Sequence, residues 1–258
     1  MEKILEEVKK KHDLVLSYCE NVIFTALVGS QNYGLATENS DVDTYSFVLP
    51  SYDNFLLNKE PKSYEVELED GSKACVKDIR LLFKLIKKAS PNSLECILSR
   101  YMIINPDYED ILKYYFNDKV LFYHIVHCNS NHLFDAIAGT MKGLHSRNMS
   151  VGKKYSHVIR LIDFLNKYIA TNEDPHNYLM VYEDNIDRAL DAKNNKAYWL
   201  SEEAYEQIVE ANVKLVNTVK STYKLKPNEE EFGQALVDNM QCAVMSRYLE
   251  LNGWTRKN

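Results

Sequence analysis

The chain lacks a surplus of positive charge. Its 31 Lys and Arg are outnumbered by 37 Asp and Glu, which leaves a formal net charge of −6. That balance argues against broad, avid binding to nucleic acid, though not against a small local basic site. No two cysteines form a CxxC pair. Cys19, Cys75, Cys96, Cys128 and Cys242 are scattered and odd in number, which favours reduced thiols over a disulfide framework or a zinc site. His124, His127, Cys128 and His132 lie close together in the chain. Their spacing matches no standard zinc site, and their aromatic surroundings suit a packed helix. No apolar run approaches the length of a membrane span, and the N-terminal MEKILEEVKKKHD lacks the apolar core of a signal peptide. Internal repeats, low-complexity tracts and long linkers are missing too. The expected setting is cytoplasmic, with no membrane partner.

What remains is an ordinary folding composition. Of 258 residues, 45% are hydrophobic and 26% charged, enough core for one large domain or two small ones. Residues 1–20 read as an amphipathic helix rich in Lys and Glu. Val22 to Val28 and Tyr45 to Leu49 are apolar and β-prone. Residues 64–69 and 73–77 alternate about the turn signal Glu69-Asp70-Gly71-Ser72 and predict a hairpin. Asp78 stands as N-cap to IRLLFKLIKKA, whose residues 79, 82, 83 and 86 share an apolar face. Pro91-Asn92 breaks that helix, and Ser93 to Ser99 add a turn or two. From about Asp107 the pattern is helical, over 107–116, 130–145, 152–171, 176–192, 202–222 and 229–251. Strands first and helices second predict an α+β domain over 1–105, followed by an all-helical domain over 106–258.

The segment Leu27 to Asp43, LVGSQNYGLATENSDVD, carries the chemistry. An apolar strand ends in Gly29-Ser30, a short loop with Tyr33-Gly34 and Ser40 follows, and Asp41-Val42-Asp43 opens the next strand. Residues two apart on a strand share a face, so Asp41 and Asp43 are expected side by side. Like charges that close repel unless protonated or bridged by a cation, and hard divalent ions such as Mg²⁺ suit them. Gly29 lets backbone approach a ligand, and Ser30 is expected to cap a helix whose free N–H groups attract phosphate. An EF-hand starting at Asp41 fails, because Ser46 stands at the turn glycine and Tyr52 at the bidentate Glu. No Lys follows Gly29-Ser30 as in a Walker loop, and the third Gly of a dinucleotide fingerprint is missing.

The combination resembles the nucleotidyltransferase superfamily of DNA polymerase β. Its signature is an apolar strand, Gly-Ser or Gly-Gly, a spacer, then Asp-hydrophobic-Asp. The fuller GSQNYGLATENSDVD looks like the bacterial and phage branch called the RNA repair pathway polymerase-β-like family. The resemblance implies a polymerase-β-like mixed sheet with helices. It also implies Asp41 and Asp43 as catalytic carboxylates holding Mg²⁺ or Mn²⁺, and Gly29, Ser30 and Ser40 as nucleotide-binding residues. A third acid is implied just upstream of the helix that starts Asp-Ile-Arg. Aligning on CVKDIRLLFKLIKKASPNSLE puts Cys75 there, and a thiol is a poor Mg²⁺ ligand. Three readings stay open: Asp78 is the third catalytic acid rather than a cap; Asp70, Glu67 or Glu69 reaches in from the hairpin; or the site is weakened towards nucleotide binding alone.

The stretch Lys142 to Arg160 is locally basic. Lys153, His157 and Arg160 fall at i, i+4 and i+7 on one helix side, whereas Lys154 is less well aligned with Arg160. A Lys-x-x-His-x-x-Arg-Leu run, carried by Lys154, His157, Arg160 and Leu161, resembles the same family's second signature. The resemblance implies that Lys154, His157 and Arg160 face the β- and γ-phosphates. The bland reading is a solvated basic face. Tyr33 either packs under the phosphate loop or stacks on a base.

The expected activity is metal-dependent transfer of NMP from an NTP to a hydroxyl, with release of pyrophosphate. The resemblance points to an RNA end as acceptor, with tRNA the first candidate. Two alternatives stay open: transfer to a protein Tyr, Ser or Thr, and a catalytically degenerate nucleotide-binding module. The oligomeric state is not legible.

Overall fold

The structure is a computed structural model that describes residues 2–38, 40–67, 71, 73–170, 174–224 and 228–253. Glu69 and Asp70, two of the third-acid candidates, lie outside the described residues.

Helix α1 (Glu2–Tyr18) leads into strand β1 (Val22–Val28), the single turn α2 (Ser30–Tyr33) and β2 (Asp43–Val48). Helix α3 (Tyr52–Leu56), the hairpin β3 (Ser63–Glu67) and β4 (Lys73–Asp78), then α4 (Ile79–Ile86), α5 (Pro91–Leu98) and β5 (Met102–Ile104) follow. The rest is helical: α6 (Pro106–Asn117), α7 (Lys119–Val126), α8 (Ser130–Gly143), α9 (Val151–Ala170), α10 (Glu183–Lys193), α11 (Glu202–Thr222) and α12 (Glu229–Leu251). The fold is α+β, as the strand-then-helix order predicts.

The five strands form one sheet in the order β3-β4-β2-β1-β5. β2 and β4 run parallel, and the other neighbours run antiparallel. β1 is buried at every position, which requires cover on both faces. One face takes α1, where Val15 packs with Val22, Ala74 and Val76. His12 Nδ1 there lies 2.9 Å from Thr25 Oγ1, which lies 2.8 Å from Ser46 Oγ. The other face joins a single apolar cluster that runs from Ile23 and Phe47 through α4 and α5 to Val244 and Tyr248. Apolar residues on both sides of the proposed 105/106 division contribute to it.

The differences from expectation have physical causes. Pro91 does not simply break a helix; it opens α5 in the first turn, where its missing N–H leaves no donor unmet. β5 has three half-buried residues, too few to show alternation. α7 is an eight-residue apolar run, too short to tell helix from strand by period. The expected helix 176–192 starts only at Glu183. Buried Tyr178, Leu179 and Val181 precede it and give irregular backbone an apolar pattern.

Two glycines let helices meet backbone to backbone. A Cβ at Gly152 of α9 would lie 2.6 Å from the Ala192 carbonyl carbon of α10 and nearer still to its oxygen. A Cβ at Gly233 of α12 would lie 2.7 Å from Cys128 Cβ.

Candidate active site

β1 ends at Val28, which pairs with Asp43 at the start of β2. Gly29 then turns with φ of +85°, and a Cβ there would lie 3.1 Å from Asp43 Oδ2. Glycine is required twice over, by the backbone angle and by the carboxylate resting against it. Asp43 is the first residue of β2, while Asp41 precedes the strand. The two carboxylates do not share one strand, yet both line the same cavity of about 360 Å³. Both are exposed, and neither forms an ion pair among the described residues.

That cavity gathers Gly29, Ser30, Ser40, Lys153, His157, Arg160 and Lys193 opposite the aspartates. Ser30 lines it but caps nothing. Gly29 holds the N-cap position of α2, which is a single turn with no side-chain cap. The expected helix is therefore only one turn long, with little dipole to offer. Ser40 Oγ accepts from Thr37 N at 2.8 Å and from Lys193 Nζ at 3.3 Å. Lys193 also donates to Leu35 O at 2.7 Å.

A second cavity of about 410 Å³ shares Gly29, Tyr33, Asp43, His157 and Arg160 with the first. Its own walls are Tyr45, Glu65, Lys73, Cys75, Asn92, Glu95 and Arg147. Asp43 thus stands where two chambers meet.

Beneath the Gly29 turn lies a buried ionic network. Glu95 of α5 accepts from Gly29 N at 2.5 Å and pairs with Arg160 Nη1 at 3.5 Å. The Arg160 guanidinium lies 4.1 Å from the Tyr33 ring centroid, and its Nε has no hydrogen-bond partner. Tyr33 is buried, so it packs under the loop. Burial pushes the Glu95 carboxyl above its ordinary range, against the pull of Arg160 and of hydrogen bonds from Tyr33, Gly29 and Asn32. The loop is pinned elsewhere too. Asn32 Nδ2 donates to Leu27 O at 2.6 Å, Ser99 Oγ to Asn32 Oδ1 at 3.0 Å, and Val181 N to Tyr33 O at 3.1 Å.

His157 is a neutral imidazole here. Burial, and then the charges of Arg160, Lys153, Arg147 and Lys193, depress its pKa to about 3. Burial and the Lys153 charge also lower Lys193. Lys153, Arg160 and Lys193 therefore crowd positive charge into the cavity that Asp41 and Asp43 also line.

The structure does not bring three expected residues into the cleft as the sequence suggested. Lys154 is buried, donates to His145 O at 3.1 Å and lines neither chamber; Lys153 takes its place, as helical spacing alone indicated. Asp78 sits at the far end of β4, where it caps α4 through Arg80 N at 2.9 Å and grips the Arg80 guanidinium at 2.7 Å. It lines neither chamber, because its position in the parallel β2–β4 register is level with Val48 and not with Asp43. Glu67 lines neither chamber. Cys75 does line the second chamber and pairs in register with Tyr45. His127 is stacked between Tyr123 and Tyr168 at 4.1 and 4.0 Å, as expected of a packed helix.

A profile of the RNA repair pathway DNA polymerase beta family matches residues 1–218. The chain belongs to this family. Every residue of both chambers falls inside the match, which ends within α11. No curated protein matches the chain. The family is one of polymerase-β-like nucleotidyltransferases, and such enzymes generally use a divalent metal with an NTP. The donors here fit that use in part. Asp41 and Asp43 are hard, unpaired oxygen ligands on one cavity, and triphosphate oxygens complete such a shell. Among the described residues no group of three His, Cys, Asp or Glu is arranged to hold an ion.

Sequence reasoning passed over Glu95, Lys193, Arg147 and Glu65. An acid inside the apolar run SLECIL was the one available signal for Glu95. The others reach the cleft through tertiary packing.

Proposed function

We propose that the protein transfers NMP from an NTP to a hydroxyl at an RNA end and releases pyrophosphate. The observation that carries this reading is the position of Asp43 between a cationic chamber and a second polar one. The triphosphate belongs in the chamber of Lys153 and Lys193. There Ser30 and Ser40 donate to phosphate oxygens, and the two ammonium groups offset the negative charge. His157 contributes a hydrogen bond rather than a charge. Arg160, held by Glu95 and Tyr33, presents a rigid guanidinium edge between the chambers. Asp41 and Asp43 would hold Mg²⁺ or Mn²⁺, which when bound neutralises phosphate charge and aligns the attacking oxygen. Arg147 and Lys73 give the second chamber the cations that a phosphodiester end needs. The attacking oxygen bonds to the α-phosphorus as the bond to the β-phosphate oxygen breaks. The five free cysteines support a cytoplasmic setting.

The net charge of −6 favours one rival, in which a protein hydroxyl is the acceptor. Incubation with α-labelled NTPs and Mg²⁺, with either total RNA or a protein lysate, separates the two. Label in RNA supports the reading. Label in protein alone replaces the acceptor, and nucleotide binding without transfer to either overturns catalysis.

A further inference from the structure

The attacking hydroxyl must lose a proton, and the second chamber has few groups able to take it. Asp43 is committed to the cation. Glu95 is sealed, with its side chain 6% exposed and its oxygens engaged by Gly29 and Arg160. His157 faces Arg160, Lys153, Arg147 and Lys193, whose charges oppose its protonation. Cys75 stands at the position where an acid is expected and brings a thiol.

The sheet register supplies another acid beside it. Tyr45 of β2 pairs with Cys75 of β4, and Cys75 pairs with Glu65 of β3. Laterally paired residues point to one face. Glu65, Cys75 and Asp43 accordingly line the same chamber. Lys73 lines it as well and holds the Glu65 carboxylate at 3.4 Å. An acid missing from the middle strand is present one strand outward, at the same level of the sheet.

We propose that Glu65 is the catalytic base that takes the proton of the acceptor hydroxyl. This rests on the nucleotidyl-transfer reading above. In the step, the acceptor O–H proton passes to a Glu65 oxygen, the freed electron pair bonds to the α-phosphorus, and pyrophosphate leaves with the electrons of the broken P–O bond. Both side chains of the Lys73–Glu65 pair are 65% exposed, so the carboxylate is free to turn from Lys73 to the acceptor as it enters.

The test compares wild type, Glu65→Gln, Cys75→Asp and the double variant, with α-labelled NTPs, Mg²⁺ and total RNA. Glu65→Gln should lower turnover about 100-fold, the usual scale of a lost general base. NTP affinity, read by equilibrium titration, should stay within about twofold. The double variant should regain at least about tenfold, because Cys75→Asp returns a carboxylate to the chamber. A merely structural role for Glu65 would not be rescued in this way. Turnover of Glu65→Gln within about threefold of wild type overturns the proposal, and so does a double variant no faster than Glu65→Gln. Asp43→Asn, run alongside, reports on the parent reading: full transfer by that variant removes the site assignment itself, whatever Glu65 does.

Discussion

Gly152→Ala places one methyl group where α9 meets α10. The new Cβ would lie 2.6 Å from the Ala192 carbonyl carbon, whereas unstrained carbon contacts are about 3.5–4.0 Å. The neighbour is backbone, so no side-chain rotation relieves the clash. The helices must separate by about 1 Å, or the first turn of α9 must open. Overpacking of this kind costs about 1–3 kcal/mol, and the gain in helix propensity returns at most about 1 kcal/mol. A net loss of about 1 kcal/mol in a chain of this size corresponds to a Tm lower by roughly 2–4 °C. Lys193 ends α10 and donates to Leu35 O beside the proposed nucleotide chamber, so NTP affinity should fall together with Tm. Differential scanning calorimetry and an NTP titration read both effects. Gly139→Ala in α8 is the control, because a Cβ there meets nothing within 4 Å. That variant should gain about 0.5–1 kcal/mol. If Gly152→Ala melts at or above the wild-type temperature, the close approach of α9 and α10 is wrong.

Asp43→Asn should abolish transfer and Mg²⁺-dependent NTP binding while leaving the melting temperature unchanged or slightly higher; undiminished Mg²⁺-dependent transfer would remove Asp43 from the site. Lys153→Ala and Lys193→Ala should each weaken NTP binding by about 1.5–3 kcal/mol and NMP binding by less, whereas Lys154→Ala should leave both unchanged per folded molecule; equal losses of NTP and NMP would refute the phosphate contacts. Asp78→Ala should cost about 1–2 kcal/mol of stability through the lost cap of α4, with turnover of the folded protein unaltered; a lost turnover at normal stability would place Asp78 in catalysis. Folded His157 takes up its proton only near pH 3, against about 6.5 in the unfolded chain. The unfolded chain therefore binds more protons between these values, and stability is full above pH 6.5 and falls as pH drops through that window. At pH 5 the share of His157 is about 2 kcal/mol, and denaturant melts of His157→Gln should lack it; acid sensitivity identical to wild type would contradict the burial of this imidazole.

The local structure of the β1–β2 pair was legible because each part of it is short-range. β1 spans Val22–Val28 as its apolar run predicts, and the glycine turn, the hairpin and the Asp78 cap all rest on neighbours within a few residues. Lys153 was legible by helical spacing, and the motif resemblance pointed one residue away to Lys154. Glu95, Glu65 and Lys193 were not legible. Their places in the cleft depend on the packing of α5 against β1, on strand order and on the α9–α10 contact, and no local pattern encodes any of these. β5 and the late start of α10 escaped for the opposite reason: three residues are too few for a period, and buried loop residues mimic one.

The pinned Gly29 loop has a consequence for how a ligand is met. Its turn amide is bonded to Glu95, Asn32 spans Leu27 and Ser99, and Tyr33 O is tied to Val181. Anchors from two distant parts of the chain, Glu95 to Ser99 and Val181, fix the proposed cradle before any phosphate arrives. The ordering entropy is then a term of folding and not of association. Nucleotide capture should accordingly proceed in a single kinetic phase. Its heat-capacity change should match the surface covered by the ligand alone, without the large negative excess of a loop that folds around its guest.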